Sequence, residues 1–214
     1  MKALFDYLWL FTFVPLIIGL IRWNKGDRAF RNLVIYLITC LVNEGVMYFL
    51  GTRGFIIVEF LLLVSVFYYG YKEIFSSNVY YLLMGGFVVG AILNIIFLQP
   101  LKIYASNTRS VEGILLTLLA LWCLHRSVID LREPKLSKSF MFWFSVAILC
   151  FFTTKLLIYL FSTSLILFGN SSEENKFAYY LIMIMHASFA ILYYLIMARA
   201  FLGRPTPDRP YRFF

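Results

Sequence analysis

Long apolar runs separated by short polar segments dominate the chain. There are seven runs of 14 residues or more, namely Ala3–Ile21, Leu33–Leu50, Phe55–Tyr71, Val79–Leu98, Val111–Leu124, Phe140–Phe168 and Phe177–Leu202. A transmembrane helix needs about 20 mostly apolar residues. The pattern therefore predicts an all-α polytopic membrane protein, a bundle of seven transmembrane helices. We expect one domain over residues 1–203 and a short, basic, proline-containing tail over residues 204–214.

The fifth run is the shortest, and on its own it is too short to cross a bilayer. Its 14 residues form a helix that rises only about 1.5 Å per residue. The helix reaches full length if Arg109 and Arg126 extend their charged ends to the two interfaces and Glu112 lies at the boundary. We therefore expect a fifth spanning helix with charged ends.

The composition supports the membrane class. Hydrophobic residues make up 62% of the chain and charged residues 14%, and the mean hydropathy is +0.82. Soluble domains are typically about 45–50% apolar and about 25% charged. A water-soluble chain this apolar could not cover its own surface with polar groups, so the lipid bilayer is the expected partner.

The basic residues predict an orientation. The loops after the first, third and fifth runs and the C-terminal tail, together with Arg199 near the end of the seventh run, hold 13 Lys and Arg, whereas the other side holds five. Because cytoplasmic loops are enriched in Lys and Arg, the N-terminus is expected outside and the C-terminus in the cytoplasm. The net charge of +8 is spread over helix ends rather than over one basic face, so nucleic acid is not an expected partner.

Ionisable side chains inside the apolar runs are the candidate site residues. Each costs about 2.5–3.5 kcal/mol to insert at mid-membrane, so each is a candidate functional group. They are Glu44, Glu59, Lys155 and His186, accompanied by the amides Asn43 and Asn94. The predicted topology places all six at or above the membrane midplane. The cytoplasmic half is nearly free of such groups.

Helical spacing adds tyrosines to this set. Tyr48 shares a face with Glu44, Tyr159 shares one with Lys155, and Tyr179 shares one with His186. If these faces point inward, they line an outward-facing polar cavity. The alternative is a structural network in which Lys155 pairs with Glu44 or Glu59 and ties helices together.

Two further features favour packing over function. The spacing of Gly86 and Gly90 allows close helix approach, which we expect within the bundle rather than at a dimer interface. The three cysteines, Cys40, Cys123 and Cys150, lie in apolar runs, and their number is odd. We expect buried free thiols and no disulfide framework.

Several classes of protein are disfavoured. With only His125 and His186, the chain cannot supply the three histidines of a seven-span zinc hydrolase, and no metal site or cofactor is expected. No hydrolase, zinc-protease or P-loop motif is present, which argues against an enzyme. A retinal protein would carry its lysine in the last helix, but here Lys155 lies in the sixth run.

Two short runs carry a resemblance. The run 58–62 (VEFLL) and the run 142–145 (FWFS) resemble those of a loosely defined family of small, uncharacterised bacterial seven-span inner-membrane proteins. In that family an acidic residue opens the third helix and an aromatic pair opens the sixth. The resemblance implies an architecture and a location in the inner membrane, but no chemistry.

Three functions remain open. The leading hypothesis is a sensor or receptor-like module in which a small ligand or protons at the outer half bias helix packing. Its basic cytoplasmic loop and tail would then contact a separate cytoplasmic or membrane protein. The second hypothesis is a channel or transporter for protons, ions or a small solute. The third is a structural or assembly subunit.

Overall fold

The computed structural model describes residues 8–50, 52–72, 75–98, 106–129, 136–168 and 173–203, and the side chains of these residues except 44–50, 52–54, 106, 159–168, 173–180 and 183. Within these ranges the chain is all helical. The seven α-helices are α1 Phe13–Ile21, α2 Arg28–Leu50, α3 Thr52–Gly70, α4 Ser77–Leu93, α5 Ser106–Ile129, α6 Phe140–Phe168 and α7 Glu173–Leu202. A 3-10 turn, Leu8–Thr12, precedes α1, and a π-helical turn, Asn94–Leu98, extends α4.

Four of these helices are long and apolar enough to cross a membrane. They are α4 with its π-helical turn, α5, the part of α6 up to Ile158, and α7 from Ile184 onward. A helix in a bilayer satisfies all of its backbone hydrogen bonds internally, which explains why such apolar runs become helices. The expectation of a long fifth helix is confirmed, because α5 continues well beyond both ends of the apolar run Val111–Leu124.

Local sequence signals determine where two helices begin. The Asp27 carboxylate accepts a hydrogen bond from the backbone N–H of Phe30 at 2.8 Å and so caps α2. The Ser139 hydroxyl accepts one from the N–H of Phe142 at 3.4 Å and caps α6 in the same way. Both caps satisfy N–H groups that have no partner inside the helix.

Six of the seven helices pack in a closed ring, and α4 lies outside it. Each of α1, α2, α3, α5, α6 and α7 packs against the next, and α7 packs back against α1, whereas α4 lies outside against α3 and α5. Helix α3 is central, because its six consecutive residues Leu63–Tyr68 are all buried, and six consecutive residues cover the whole circumference of a helix.

The bundle has two chemically different ends. At the basic end, α2, α4 and α6 begin and the other helices end. Arg22 connects α1 to the end of α7 there by donating hydrogen bonds to the carbonyls of Phe201 and Gly203. At the opposite end, α3, α5 and α7 begin. We call this the acidic end, because Glu59 and Glu112 lie in its half of the bundle.

The glycines of α4 do not pack as predicted. A Cβ placed on Gly85, Gly86 or Gly90 would meet no described atom within 4 Å. The expectation that Gly86 and Gly90 mediate packing within the bundle is therefore wrong for the described part of the chain. The physical reason is the position of α4, which is the least buried of the four long apolar helices and turns its glycines away from α3 and α5.

The described cysteines agree with the sequence interpretation. Cys40, Cys123 and Cys150 form no disulfide with one another; the first two are buried and the third is partly buried. They lie on α2, α5 and α6, so they belong to three different helices.

Candidate functional site

A cluster of charged side chains lies in the acidic-end half of the bundle. It consists of Glu59 on α3, Arg109 and Glu112 on α5, and Lys155 on α6, and we call it the charge cluster. Glu59 is only 3% exposed although it is ionisable. Its Oε1 accepts a hydrogen bond from the Tyr36 hydroxyl at 3.1 Å, and its Oε2 accepts one from Arg109 Nη1 at 3.0 Å.

Arg109 is shared between two carboxylates. The nitrogen Nη1 that lies 3.0 Å from Glu59 Oε2 is also 3.7 Å from Glu112 Oε2. Arg109 and Glu112 are three residues apart on α5, so they lie on neighbouring turns of the same face. Only 10% of the Arg109 side chain is exposed, which makes this an interior ion pair rather than a surface one.

Glu112 is the least satisfied member of the cluster. Its side chain is buried, and neither carboxylate oxygen accepts a hydrogen bond from any described residue. A buried polar group without a hydrogen bond is costly, and a buried charge without a close partner is more so. The protein itself covers this side chain, so Glu112 is an interior residue of the bundle.

Lys155, on α6, is the fourth charged residue of the cluster. Its Nζ lies 4.1 Å from the ring centre of Phe151 and 5.1 Å from that of Phe152, which are cation–π distances. It interacts electrostatically with Glu59, Arg109 and Glu112. Among the described residues, however, no carboxylate oxygen lies within 4.0 Å of Lys155. Of the two partners that the alternative interpretation offers Lys155, Glu59 pairs with Arg109 instead, and the Glu44 side chain lies outside the described residues.

Two tyrosines connect the charge cluster to α2 and α7. The Tyr193 hydroxyl donates a hydrogen bond to the Tyr36 oxygen at 3.2 Å, and Tyr36 in turn donates to Glu59. Phe151 stacks on Tyr193 with ring centres 4.3 Å apart. A hydrogen-bonded path therefore runs from α7 through α2 and α3 to Arg109 on α5.

Asn94 belongs to a separate polar group nearer the acidic end. Its side-chain N–H donates a hydrogen bond to the Thr108 hydroxyl at 3.0 Å, and its side-chain carbonyl accepts one from Asn107 at 3.4 Å. This group joins the π-helical turn after α4 to the first turn of α5. Thr108 directly precedes Arg109 in the sequence, so this polar group adjoins the charge cluster along the chain.

The structure distributes the predicted site residues over several places. Glu59 and Lys155 belong to the charge cluster. His186 is partly exposed and interacts electrostatically with Lys155 and Arg109. Asn43 is half-buried near the end of α2. The side chains of four predicted members lie outside the described residues, namely Glu44, Tyr48, Tyr159 and Tyr179.

Sequence reasoning missed four participants. The sequence predicts Arg109 and Glu112 as interfacial ends of a short helix, and Tyr36 and Tyr193 are not among its candidate site residues. A signal for the first two was present. The three-residue spacing of an arginine and a glutamate at the start of an apolar run is the spacing of an intrahelical ion pair.

The chemistry available to the cluster is that of protons and small polar ligands. Two carboxylates face two cations, so the cluster is formally neutral when all four groups are charged. Within the described ranges, no group of three or more His, Cys, Asp or Glu side chains could hold a metal ion.

Beyond Tyr193, toward the basic end, the interior is aromatic rather than charged. Phe30, Phe140 and Phe201 pack together with ring centres 4.7–6.1 Å apart. Phe144 extends this group, because its ring centre lies 6.2 Å from that of Phe140 and 4.8 Å from that of Phe67. All five rings are fully buried. We call them the phenylalanine cluster.

The fold and the site together define a helical protein of the membrane class with a buried charge cluster at one end of its bundle. Comparison of the chain with protein-family models, with curated proteins and with solved structures finds no match. The proposals below therefore rest on the residues themselves.

Proposed function

We propose that the chain is a seven-span protein of the bacterial inner membrane that works as a sensor or receptor-like module. Its N-terminus lies outside and its C-terminus in the cytoplasm, and a small ligand or protons reach the charge cluster from outside. One observation carries the proposal: four ionisable groups and two tyrosines from α2, α3, α5, α6 and α7 meet at one buried cluster. A change of charge there alters the packing of five helices at once.

Helix α7 supplies a route from the cluster to the cytoplasmic surface. Tyr193 is part of the cluster, and Arg199 lies six residues further along the same helix. Arg199 donates a hydrogen bond to the Ser137 carbonyl at 2.7 Å, and the Trp143 indole donates one to the same oxygen at 2.8 Å. A movement of α7 therefore changes the environment of Trp143 and of the basic loop before α6.

The indole of Trp143 offers a direct test of this proposal. The emission of the protein in nanodiscs, minus that of Trp143→Phe, isolates this one tryptophan. Between about pH 5 and about pH 8, where physiological switches titrate, we expect its emission maximum to shift. Glu59→Gln should abolish the shift, whereas Glu133→Gln, in the loop sequence between α5 and α6, should not. An emission that is the same at every pH contradicts a proton-driven sensor.

Transport of protons or small ions is the second candidate, and the hydrogen-bonded path from Tyr193 through Tyr36 to Glu59 favours it. Against it stands the phenylalanine cluster, which offers no hydrogen-bonding group beyond Tyr193. Proteoliposomes with an entrapped pH-sensitive dye separate the two functions. A sensor leaves the internal pH unchanged under an imposed gradient, whereas a proton transporter collapses the gradient, and Glu59→Gln slows that collapse.

A further inference from the structure

Glu112 differs from Glu59 in how its charge is compensated. Both oxygens of Glu59 accept hydrogen bonds, from Tyr36 and from Arg109. Neither oxygen of Glu112 accepts one from the described part of the chain, and its only described ion pair is the 3.7 Å approach of Arg109. The hydrogen bond from that nitrogen goes to Glu59, so Glu112 is the carboxylate left without a donor.

The charges around Glu112 come from three helices. Arg109 lies on its own helix α5, Glu59 faces it from α3, and Lys155 faces it from α6. The remaining neighbour, α4 with its π-helical turn, has no charged residue between Ser77 and Leu98. An ionised Glu112 is therefore repelled by Glu59 and attracted by two cations, neither of which donates a hydrogen bond to it.

We propose that Glu112 is a proton-binding site and that the proton is the ligand of the sensor. A proton delivered as hydronium from the outer side forms an O–H bond on a Glu112 oxygen and leaves one water, and the formal charge of the cluster rises from 0 to +1. Protonation removes a buried negative charge that accepts no hydrogen bond from the described residues and whose described ion pair spans 3.7 Å, which is a costly arrangement. It also leaves Arg109 to pair with Glu59 alone, at the 3.0 Å distance seen here.

Loss of the proton reverses this arrangement. An ionised Glu112 attracts Arg109 Nη1, which has to move only from 3.7 Å toward hydrogen-bonding distance. The ion pair between Arg109 and Glu59 then weakens. Tyr36 and Tyr193 change position with Glu59, because Tyr193 is hydrogen-bonded to Tyr36 and Tyr36 to Glu59. This switch deepens the proposed sensor function and rests on it, but the protonation of Glu112 can be measured without any conformational signal.

Infrared difference spectroscopy of the full chain in lipid tests the site. A protonated carboxylic acid has a C=O stretching band that is separate from the carboxylate bands. We expect wild-type protein to show such a band at about pH 6, where ordinary carboxyl groups are ionised, and to lose it as the pH is raised to about 9. The band should shift in deuterated water. It should be absent in Glu112→Gln and present in both Glu44→Gln and Glu59→Gln, the matched controls.

The possible outcomes separate the inference from the proposed function. A band at about pH 6 that survives in Glu112→Gln, or a wild-type spectrum without an acid band at that pH, overturns the inference, and the wild-type measurement needs no variant to fold. A Glu112 band together with unchanged Trp143 emission supports the proton site and refutes the sensor. A pH-dependent emission that persists in Glu112→Gln supports a sensor and places its proton elsewhere.

Discussion

Removing Arg109 should be the most destabilising neutralisation in the charge cluster. In Arg109→Met the two carboxylates, Glu59 and Glu112, lose the cation they share. At an effective dielectric constant of about 20, a charge pair at the observed 3.0 Å has a Coulomb energy of about 5–6 kcal/mol, and one at 3.7 Å about 4–5 kcal/mol. Desolvation offsets much of this, but stranding one member of a buried pair typically costs about 3–5 kcal/mol. We expect a loss of that size.

A double-mutant cycle assigns the loss to the pair. The free energy of unfolding is measured by SDS titration in mixed micelles for Arg109→Met, Glu59→Gln and the double variant. We expect a coupling energy of about 2–3 kcal/mol, as is typical of groups in direct contact. Arg109→Lys keeps the charge but not the planar fork and should fall between wild type and Arg109→Met.

The comparison cycle uses Lys155→Met with Glu59→Gln. Because no carboxylate oxygen of the described residues lies within 4.0 Å of Lys155, its coupling energy with Glu59 should be smaller than that of Arg109. The reasoning is refuted if Arg109→Met unfolds within about 1 kcal/mol of wild type, or if the Lys155 cycle gives the larger coupling energy. A double variant as stable as wild type would favour a structural role for the Arg109–Glu59 pair.

Three further predictions concern stability in detergent, each measured as the unfolding midpoint. Lys155→Met should be neutral or stabilising, because methionine keeps the contact with aromatic rings and removes a buried charge; a loss above about 2 kcal/mol would exceed a strong cation–π contact and contradict this. Gly86→Ala should be neutral or stabilising by up to about 1 kcal/mol, since its Cβ meets no described atom within 4 Å; destabilisation together with loss of an oligomer would show that a second copy covers this face. Gly203→Ala should destabilise, because its Cβ would lie 2.8 Å from the backbone nitrogen of Phe140; an unchanged midpoint would show that the chain end moves aside freely.

The helices were predictable from the sequence because apolar run length is a strong signal in a membrane protein. Four of the seven predicted runs, those that begin at Phe55, Val79, Phe140 and Phe177, agree with the observed helices within four residues at both ends, when the π-helical turn is counted with α4. The fifth, Val111–Leu124, underestimates helix α5, which covers Ser106–Ile129. The discrepancy has a physical cause: charged residues at both ends of α5 are compatible with helix, and a hydropathy pattern counts them as interruptions.

The pairing inside the site was not predictable in the same way. Depth and helical face could be read from spacing, and they selected Glu59 and Lys155 correctly as buried charges. The cation that pairs with Glu59 is determined by the packing of α3 against α5 rather than against α6. The periodicity of one helix does not indicate which other helices are its neighbours. The same limitation applies to Gly86 and Gly90, whose spacing allows close packing but does not say which side of α4 faces the bundle.

The division of the interior into a charged half and an aromatic half favours sensing over transport. The described hydrogen bonds join Glu59 through Tyr36 to Tyr193, and the five side chains of the phenylalanine cluster on the basic side carry no carboxylate or hydroxyl that could accept a proton. Tyr193 and Arg199, however, share one rigid helix, so a displacement at the cluster reaches the Ser137 carbonyl without any proton crossing. We therefore expect a movement of α7 to reach the basic end of the bundle, although no proton crosses it.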